Sequence, residues 1–496
     1  MVKIRLFITV ILLLLVSYIA TAQKLTVSPD AIDDNLSYMK VIGQDENGFF
    51  LLQSNLSFEL MRDHVGLRSR KYKLSYFGND LRPHWTKSIT THVEDGNVEG
   101  VIFYHEKAVV LSSVWNKAES KLIYYFDAYN PDGSLSSSAK KTGECIVDKN
   151  SSLEKPQLLL SASKNKIAIY CNEMRAKDQV IHLIVADTSF TVTTASKATL
   201  SYAEKDLSFS NAVLSDSDQF CLLAQLRLRD ADKERKKLWL YRLFYLDNAS
   251  DSFKEFVVNE AERQMTEASV VIDKKNNTVV VTGFYADQGS FAGTGILFAS
   301  IPLTNPTTLH KNNFTINGDA QSTLIGERNS GNSMGLFNYP IQKIILRNDG
   351  GAVIVAEAEY LSEYSYFDYY TQSFNRRVEF HFDNIVVMSV NVAGTIDWTQ
   401  VIRKDQTSVD DEGLYSSFAY AINSDEISIL INNDIGRNNE IVDYRIDSKG
   451  KISNKKITRQ GDNISLIPRS GRQVDESTII VPGINKKRIH LLKIEF

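Results

Sequence analysis

Side chains able to do chemistry are spread thinly through this chain. The histidines His64, His84, His92, His105, His182, His310, His381 and His490 stand far apart. No pair has the His-Glu-x-x-His spacing that puts two imidazoles on one helical face, and no Cys-x-x-Cys occurs, so a metal signature is absent. No Gly-x-Ser-x-Gly elbow presents a serine nucleophile. Carboxylates gather at Asp405 and at Asp410, Asp411 and Glu412. A calcium loop would space Asp and Asn around a glycine; this stretch does not, and reads as a solvated connecting loop. The residues therefore name no catalytic group, no metal and no cofactor.

The sharpest candidate for recognition lies at residues 359–377. It holds Tyr360, Tyr364, Tyr366, Phe367, Tyr369, Tyr370 and Phe374, and ends on Arg376 and Arg377. A hairpin tip made only for solvent favours Gly, Asn, Asp and Ser. Aromatic and arginine side chains instead dominate interfaces, because they bury large areas at modest entropic cost. The expected partner is a protein, with a glycan second, since tyrosine faces also stack on sugars. The competing reading is an elongated hairpin folded onto its own sheet.

Cys145, Cys171 and Cys221 form an odd set, so at least one thiol stays unpaired within the chain. Cys171 and Cys221 sit in the apolar runs KIAIYC and QFCLLAQ and read as small buried hydrophobes.

The N-terminus reads as an export signal. Lys3 and Arg5 precede an apolar stretch from Leu6 to Ile19, and Ala20-Thr21-Ala22 supplies the small residues a signal peptidase reads. The stretch is shorter than the ~20 residues needed to span a bilayer. Cleavage after residue 22 is expected to leave Gln23 first, with no cysteine at the junction for a lipid anchor. No later run is long and apolar enough to cross a membrane, so a periplasmic or secreted product is expected. Removing Lys3 and Arg5 leaves 54 basic against 60 acidic residues, a formal charge of −6. That balance argues against nucleic acid as a partner, which usually demands a basic stripe.

The elements that would position these residues recur. A polar turn followed by an apolar strand appears around Leu51, Val110, Ile169, Leu222, Val280, Ile354, Ile429 and Ile480, at intervals of 59, 59, 53, 58, 74, 75 and 51 residues. A period of about 40 to 60 residues in an all-β chain means a propeller far more often than a sandwich. Eight anchors predict a single all-β, eight-bladed propeller over residues 23–496, its ring closed by a strand at residues 24–27. A second repeat, a strand turning at glycine, reads NPDGSLSSSAK at Gly133, NVAGTIDWTQVI at Gly394 and DSKGKISNKKI at Gly450. It predicts the connection between third and fourth strands, with NDLRPHWTKSI as a glycine-free relative. Trp85 and Trp398 read as blade-packing residues. The two long intervals predict insertions at 302–339 and 359–377, and residues 227–237 a charged hairpin tip.

The Asn-Asp-Gly-Gly turn at Asn348 to Gly351 and the Gly-x-Ile-x-Trp segment at Gly394 to Trp398 resemble β-propellers of exported bacterial proteins. Such propellers include carbohydrate-binding, signalling and assembly proteins, so the resemblance implies architecture and not chemistry. Neither Asp80–Trp85 nor Gly394–Trp398 matches the Ser-x-Asp-x-Gly-x-x-Trp turn of sialidase-type propellers. The expected function is a non-enzymatic binding or assembly module, such as a periplasmic subunit of an outer-membrane machine. The alternative is a carbohydrate-active enzyme or glycan-binding propeller. Glycoside hydrolysis needs only two facing carboxylates, which in a propeller come from different blades and leave no local spacing to read.

Overall fold

The computed structural model describes residues 24–496 apart from 33–35, 37, 56–70, 229–237, 248–249, 261–262, 288–291, 317–335, 371, 435–439 and 459–462. The expected export signal lies outside the described residues. So do most of the charged tip and residues 317–335 of the 302–339 stretch.

The described strands form eight antiparallel sheets, and no α-helix occurs among the described residues. Each sheet takes its second strand from one of the eight anchors: Gly48–Ser54, Lys107–Asn116, Ile167–Met174, Phe220–Leu228, Thr278–Asp287, Ala352–Asp368, Glu426–Asp434 and Thr478–Asn485. These strands read as apolar runs because both faces of each sheet are covered. Phe49, Phe50, Leu51 and Leu52 are all buried, as are Val109, Val110 and Leu111.

Eight hydrophobic clusters account for that burial, each shared by two consecutive sheets. One joins Phe50, Leu52 and Leu74 of sheet 1 to Ala108 and Val110 of sheet 2. Another joins Val353, Val355 and Val387 of sheet 6 to Ile427, Ile429 and Ile431 of sheet 7. The cycle closes where Ile480 and Leu491 of sheet 8 pack on Val41, Phe49 and Leu51 of sheet 1. Lys24–Val27 pairs antiparallel with residues 492–495 and completes sheet 8 from the other end of the chain. The architecture is a β-propeller.

The glycine repeat sits where the third strand turns into the fourth, and there it also locks neighbouring sheets. Gly133 and Gly450 have φ of +81° and +80°, a left-handed conformation that glycine adopts without strain. The indole of Trp85 donates to Pro131 O (2.6 Å) and Lys87 to Gly133 O (2.5 Å), from sheet 1 to sheet 2. Trp398 repeats the contact to Ser448 O (3.3 Å) and Gln400 to Gly450 O (2.7 Å), from sheet 6 to sheet 7. A Cβ on Gly450 would lie 2.5 Å from the Trp398 ring, so the glycine is required by its neighbour as well as by its backbone.

One part of the sequence reading needs correction. Residues 302–339 are not one insertion, since His310–Thr315 is the regular outer strand of sheet 5 and pairs with Gly295–Pro302.

Buried charge is held by dense hydrogen bonding. Glu173, fully buried in sheet 3, accepts from Ser151 Oγ (3.0 Å), Asp148 N (3.0 Å) and Arg175 (2.9 and 3.0 Å), and its other oxygen meets His182 Nε2 at 2.7 Å. Burial alone would raise its pKa, but bonds from His182, Asp148, Arg175 and Ser151 outweigh it and bring the value from 4.5 down to about 2. A folded-state value below the unfolded one stabilises fully above the unfolded pKa and is lost as pH falls through 4.5 toward 2. Chemical denaturation of wild type and Glu173→Gln should therefore differ most at neutral pH. The gap should shrink by up to about 3 kcal/mol on acidification. A gap independent of pH across that window would show that Glu173 is not held ionised by the fold.

Candidate functional site

The aromatic stretch forms a two-stranded ribbon continuous with sheet 6. Ala352–Asp368 pairs with Ser373–Val390 along their whole length, whereas the flanking strand Ile341–Leu346 stops at Ala356 and Ile396–Ile402 at Ile385. Gln406–Val409 supports residues 379–382, and Asp410 Oδ1 accepts from Val378 N (2.9 Å). Beyond that point, among the described residues, the two strands pair only with each other. Asp410, part of the acidic cluster, thus braces the ribbon base, and Asp411 caps its own turn at Gly413 N (2.9 Å). Among the described residues no group of three or more His, Cys, Asp or Glu is placed to hold a metal.

Half of the exposed large hydrophobic side chains among the described residues fall between 360 and 374. The register divides them between two faces, because successive side chains on a strand point opposite ways. Tyr364 and Tyr366 share one face with Arg377, whose guanidinium lies 5.4 Å from the Tyr366 ring. Leu361 and Phe367 share the other with Phe374, which sits directly across from Phe367 at 5.1 Å between rings. Arg376 belongs to this second face and pairs with Glu363. Tyr369 and Tyr370 stand at the tip, 84% and fully exposed, with Tyr369 edge-on to Phe367. Tyr360 has a different role. It stacks flat on His381 at 4.4 Å, and His381 in turn meets Ser362 Oγ (2.9 Å) and Thr407 Oγ1 (3.1 Å), so Tyr360 anchors the base. Sequence reading grouped these residues as one patch and passed over His381 and Leu361. The period of two would have separated the faces.

The second candidate lies on the channel side of the sheets. First strands of sheets 2 to 6 line a cavity of about 1050 Å³. Four of the five, Asn97–Tyr104, Leu207–Leu214, Arg263–Asp273 and Ile341–Leu346, carry a β-bulge, which leaves Glu99, Ser210, Thr266 and Gln342 as the extra residues. A bulge breaks the in-and-out alternation of a strand and re-aims a side chain. Glu99, Ser210 and Gln342 accordingly line the cavity, with Glu267, Lys343 and Glu359 beside them. Glu99 accepts from Ser113 Oγ (2.5 Å), and Gln342 Nε2 approaches Glu359 Oε2 at 3.5 Å. These carboxylates come from three sheets and have no common spacing in the sequence.

No protein-family profile and no curated protein matches the chain. Solved structures resemble the chain only at low identity. A polysaccharide lyase, Uly1, is 10% identical with a TM-score of 0.40, over 94% of this chain and 91% of that one. The β-propeller domain of Nup133 from Vanderwaltozyma polyspora is 11% identical with a TM-score of 0.35, over 80% and 99%. The β-propeller domain of the trilobed protease from Pyrococcus furiosus is 8% identical with a TM-score of 0.35, over 86% and 97%. These likenesses carry no argument about activity.

Proposed function

We propose that this chain is an exported, non-enzymatic binding module that docks a protein through the ribbon of sheet 6, as a periplasmic subunit of an outer-membrane assembly would. One observation carries the reading: a ribbon that outruns its own sheet presents aromatic side chains on both faces and at its tip, braced at its base by Tyr360, His381 and Asp410. Burying that surface in the fold is not its role, since Tyr369, Tyr370 and Phe374 are more than three-quarters exposed. Exposed aromatic area rimmed by Glu363, Arg376 and Arg377 has the composition of an interface core with a charged rim. Replacing Tyr364, Tyr366 and Tyr369 together with Ser should leave the melting temperature nearly unchanged and abolish retention of the partner in pull-downs from the source envelope fraction. A variant that melts several degrees earlier and still retains its partner would show that the tyrosines only pack.

The channel supports a second reading, a glycan-binding or glycan-cleaving site, through three carboxylates from different sheets around a cavity large enough for an oligosaccharide. The same triple variant separates the two. Glycan binding that survives it and fails in Glu267→Gln would move the function to the channel.

A further inference from the structure

Between sheets 2 and 3 lies a cluster that the ribbon does not use. Cys145, on the outer strand Leu135–Ile146, and Cys171, on the second strand Ile167–Met174, bring their sulfurs to 3.7 Å, and both are buried. Tyr124 OH donates to Cys171 Sγ at 3.2 Å. His182, buried on the next strand directly across from Cys171, has its Nε2 held by Glu173 at 2.7 Å. Two thiols in contact thus stand beside an imidazole that a carboxylate holds. Ile146, next to Cys145, is exposed, and Lys197, half-exposed, reaches Glu173 at 3.7 Å, so the cluster lies one side chain beneath the surface.

The geometry points to Cys145 and Cys171 as a redox pair that a peroxide converts into a disulfide stapling sheet 2 to sheet 3. Cys145 is the attacking thiol. The Cys171 contact and the His182 ring draw its pKa down to about 6, while Cys171 is pushed up by its proximity to Cys145 and by burial. The Cys145 proton passes to His182, and the thiolate attacks one oxygen of hydrogen peroxide. The O–O bond breaks, the leaving hydroxide takes the proton from His182 as water, and Cys145 becomes a sulfenic acid. Cys171 then attacks the Cys145 sulfur, its proton leaves with the sulfenic hydroxyl as a second water, and the S–S bond forms. Two thiols and one peroxide give one disulfide and two waters. A small neutral oxidant suits thiols at this depth. Cys221 lacks such a neighbourhood: it is wholly buried, burial alone raises its pKa, and it serves as an internal control.

The test uses the mature protein, reduced, freed of reductant and treated with one equivalent of hydrogen peroxide. Denaturation, alkylation and peptide mass mapping follow. The expected result is a cross-linked Cys145–Cys171 peptide two hydrogens lighter than the sum of its parts, with Cys221 fully alkylated and a raised melting temperature. His182→Gln should slow the cross-link by at least about tenfold without changing its end point, because the general base is lost and both thiols remain. In Cys171→Ala, Cys145 should stop at a sulfenic acid that a 1,3-dione traps. Three freely alkylated cysteines after peroxide, or Cys221 oxidised as fast as the pair, would overturn the proposal. An unchanged rate in His182→Gln would overturn the assignment of its base.

Discussion

Placing a carboxylate at Ile429 is expected to cost several kcal/mol and to leave little folded protein at physiological temperature. Ile429 has no exposed surface and lies mid-way along Glu426–Asp434, the second strand of sheet 7, in the cluster shared with Val353, Val355 and Val387 of sheet 6. Ile429→Asp removes about 1.5–3 kcal/mol of apolar burial. It also strands a charge that no neighbour in that cluster can pair, a penalty of the same size or larger. Ile354→Asp should behave alike, because Ile354 is the matching residue of sheet 6 and packs on Val280, Phe298 and Met388. Circular dichroism and denaturant titration measure the loss. A melting temperature within a degree or two of wild type would mean that these strands tolerate water, and that the clusters are not what holds one sheet to the next.

The second large effect is expected at Lys404, whose ammonium lies 2.8 Å from the Glu357 carboxylate with both side chains almost wholly buried. Lys404 also donates to Phe382 O (2.6 Å) and Gln406 Oε1 (2.9 Å), and Ser417 Oγ to Glu357 Oε2 (2.5 Å). Its approach to Glu357 Oε1 is an ionic contact rather than an aligned hydrogen bond. Burial pushes the Glu357 pKa up against the pull of Lys404, and pushes the Lys404 pKa down against the pull of Glu357. Lys404→Met leaves the carboxylate unpaired and should destabilise by about 3–5 kcal/mol at neutral pH. Glu357→Gln with Lys404→Met should restore most of that, because the amide oxygen still accepts from Ser417 while the charge is gone. Acidification provides an internal check on the single variant. With the folded-state pKa of Glu357 above its ordinary value of 4.5, the destabilisation should fade as pH drops and the carboxyl takes up its proton. A double variant no better than Lys404→Met would show that the pair is held for a reason other than charge neutralisation.

Much of the architecture could be read one strand at a time. An interior strand of a propeller is covered on both faces, so it shows as an unbroken apolar run after a polar turn, as in GFFLLQ, KAVVLSS and NTVVVTG. Every such run became the second strand of a sheet. A left-handed turn position demands glycine locally, which is why Gly133, Gly394 and Gly450 marked the passage from third to fourth strand. Trp398 in GTIDW and Trp85 in RPHWT carried the inter-sheet packing that their size suggested.

The rest was decided by contacts between residues far apart in the chain. Residues 359–377 were legible as aromatic, but their division into a Tyr364–Tyr366–Arg377 face and a Leu361–Phe367–Phe374 face follows from register against residues 374–380. Glu99 and Glu267, on first strands, and Glu359, at the base of the ribbon, meet around one cavity only because several sheets bring these strands to the same side. Cys171 read as a small buried hydrophobe and Cys145 only as one of an odd set, and they touch because an outer strand of one sheet packs on the second strand of the next. Local propensity and periodicity are properties of neighbouring residues and are therefore written in order along the chain. Pairing of charges, thiols and channel carboxylates depends on how strands pair within a sheet and how sheets stack on their neighbours, which brings together residues whose separation in sequence carries no trace of the contact.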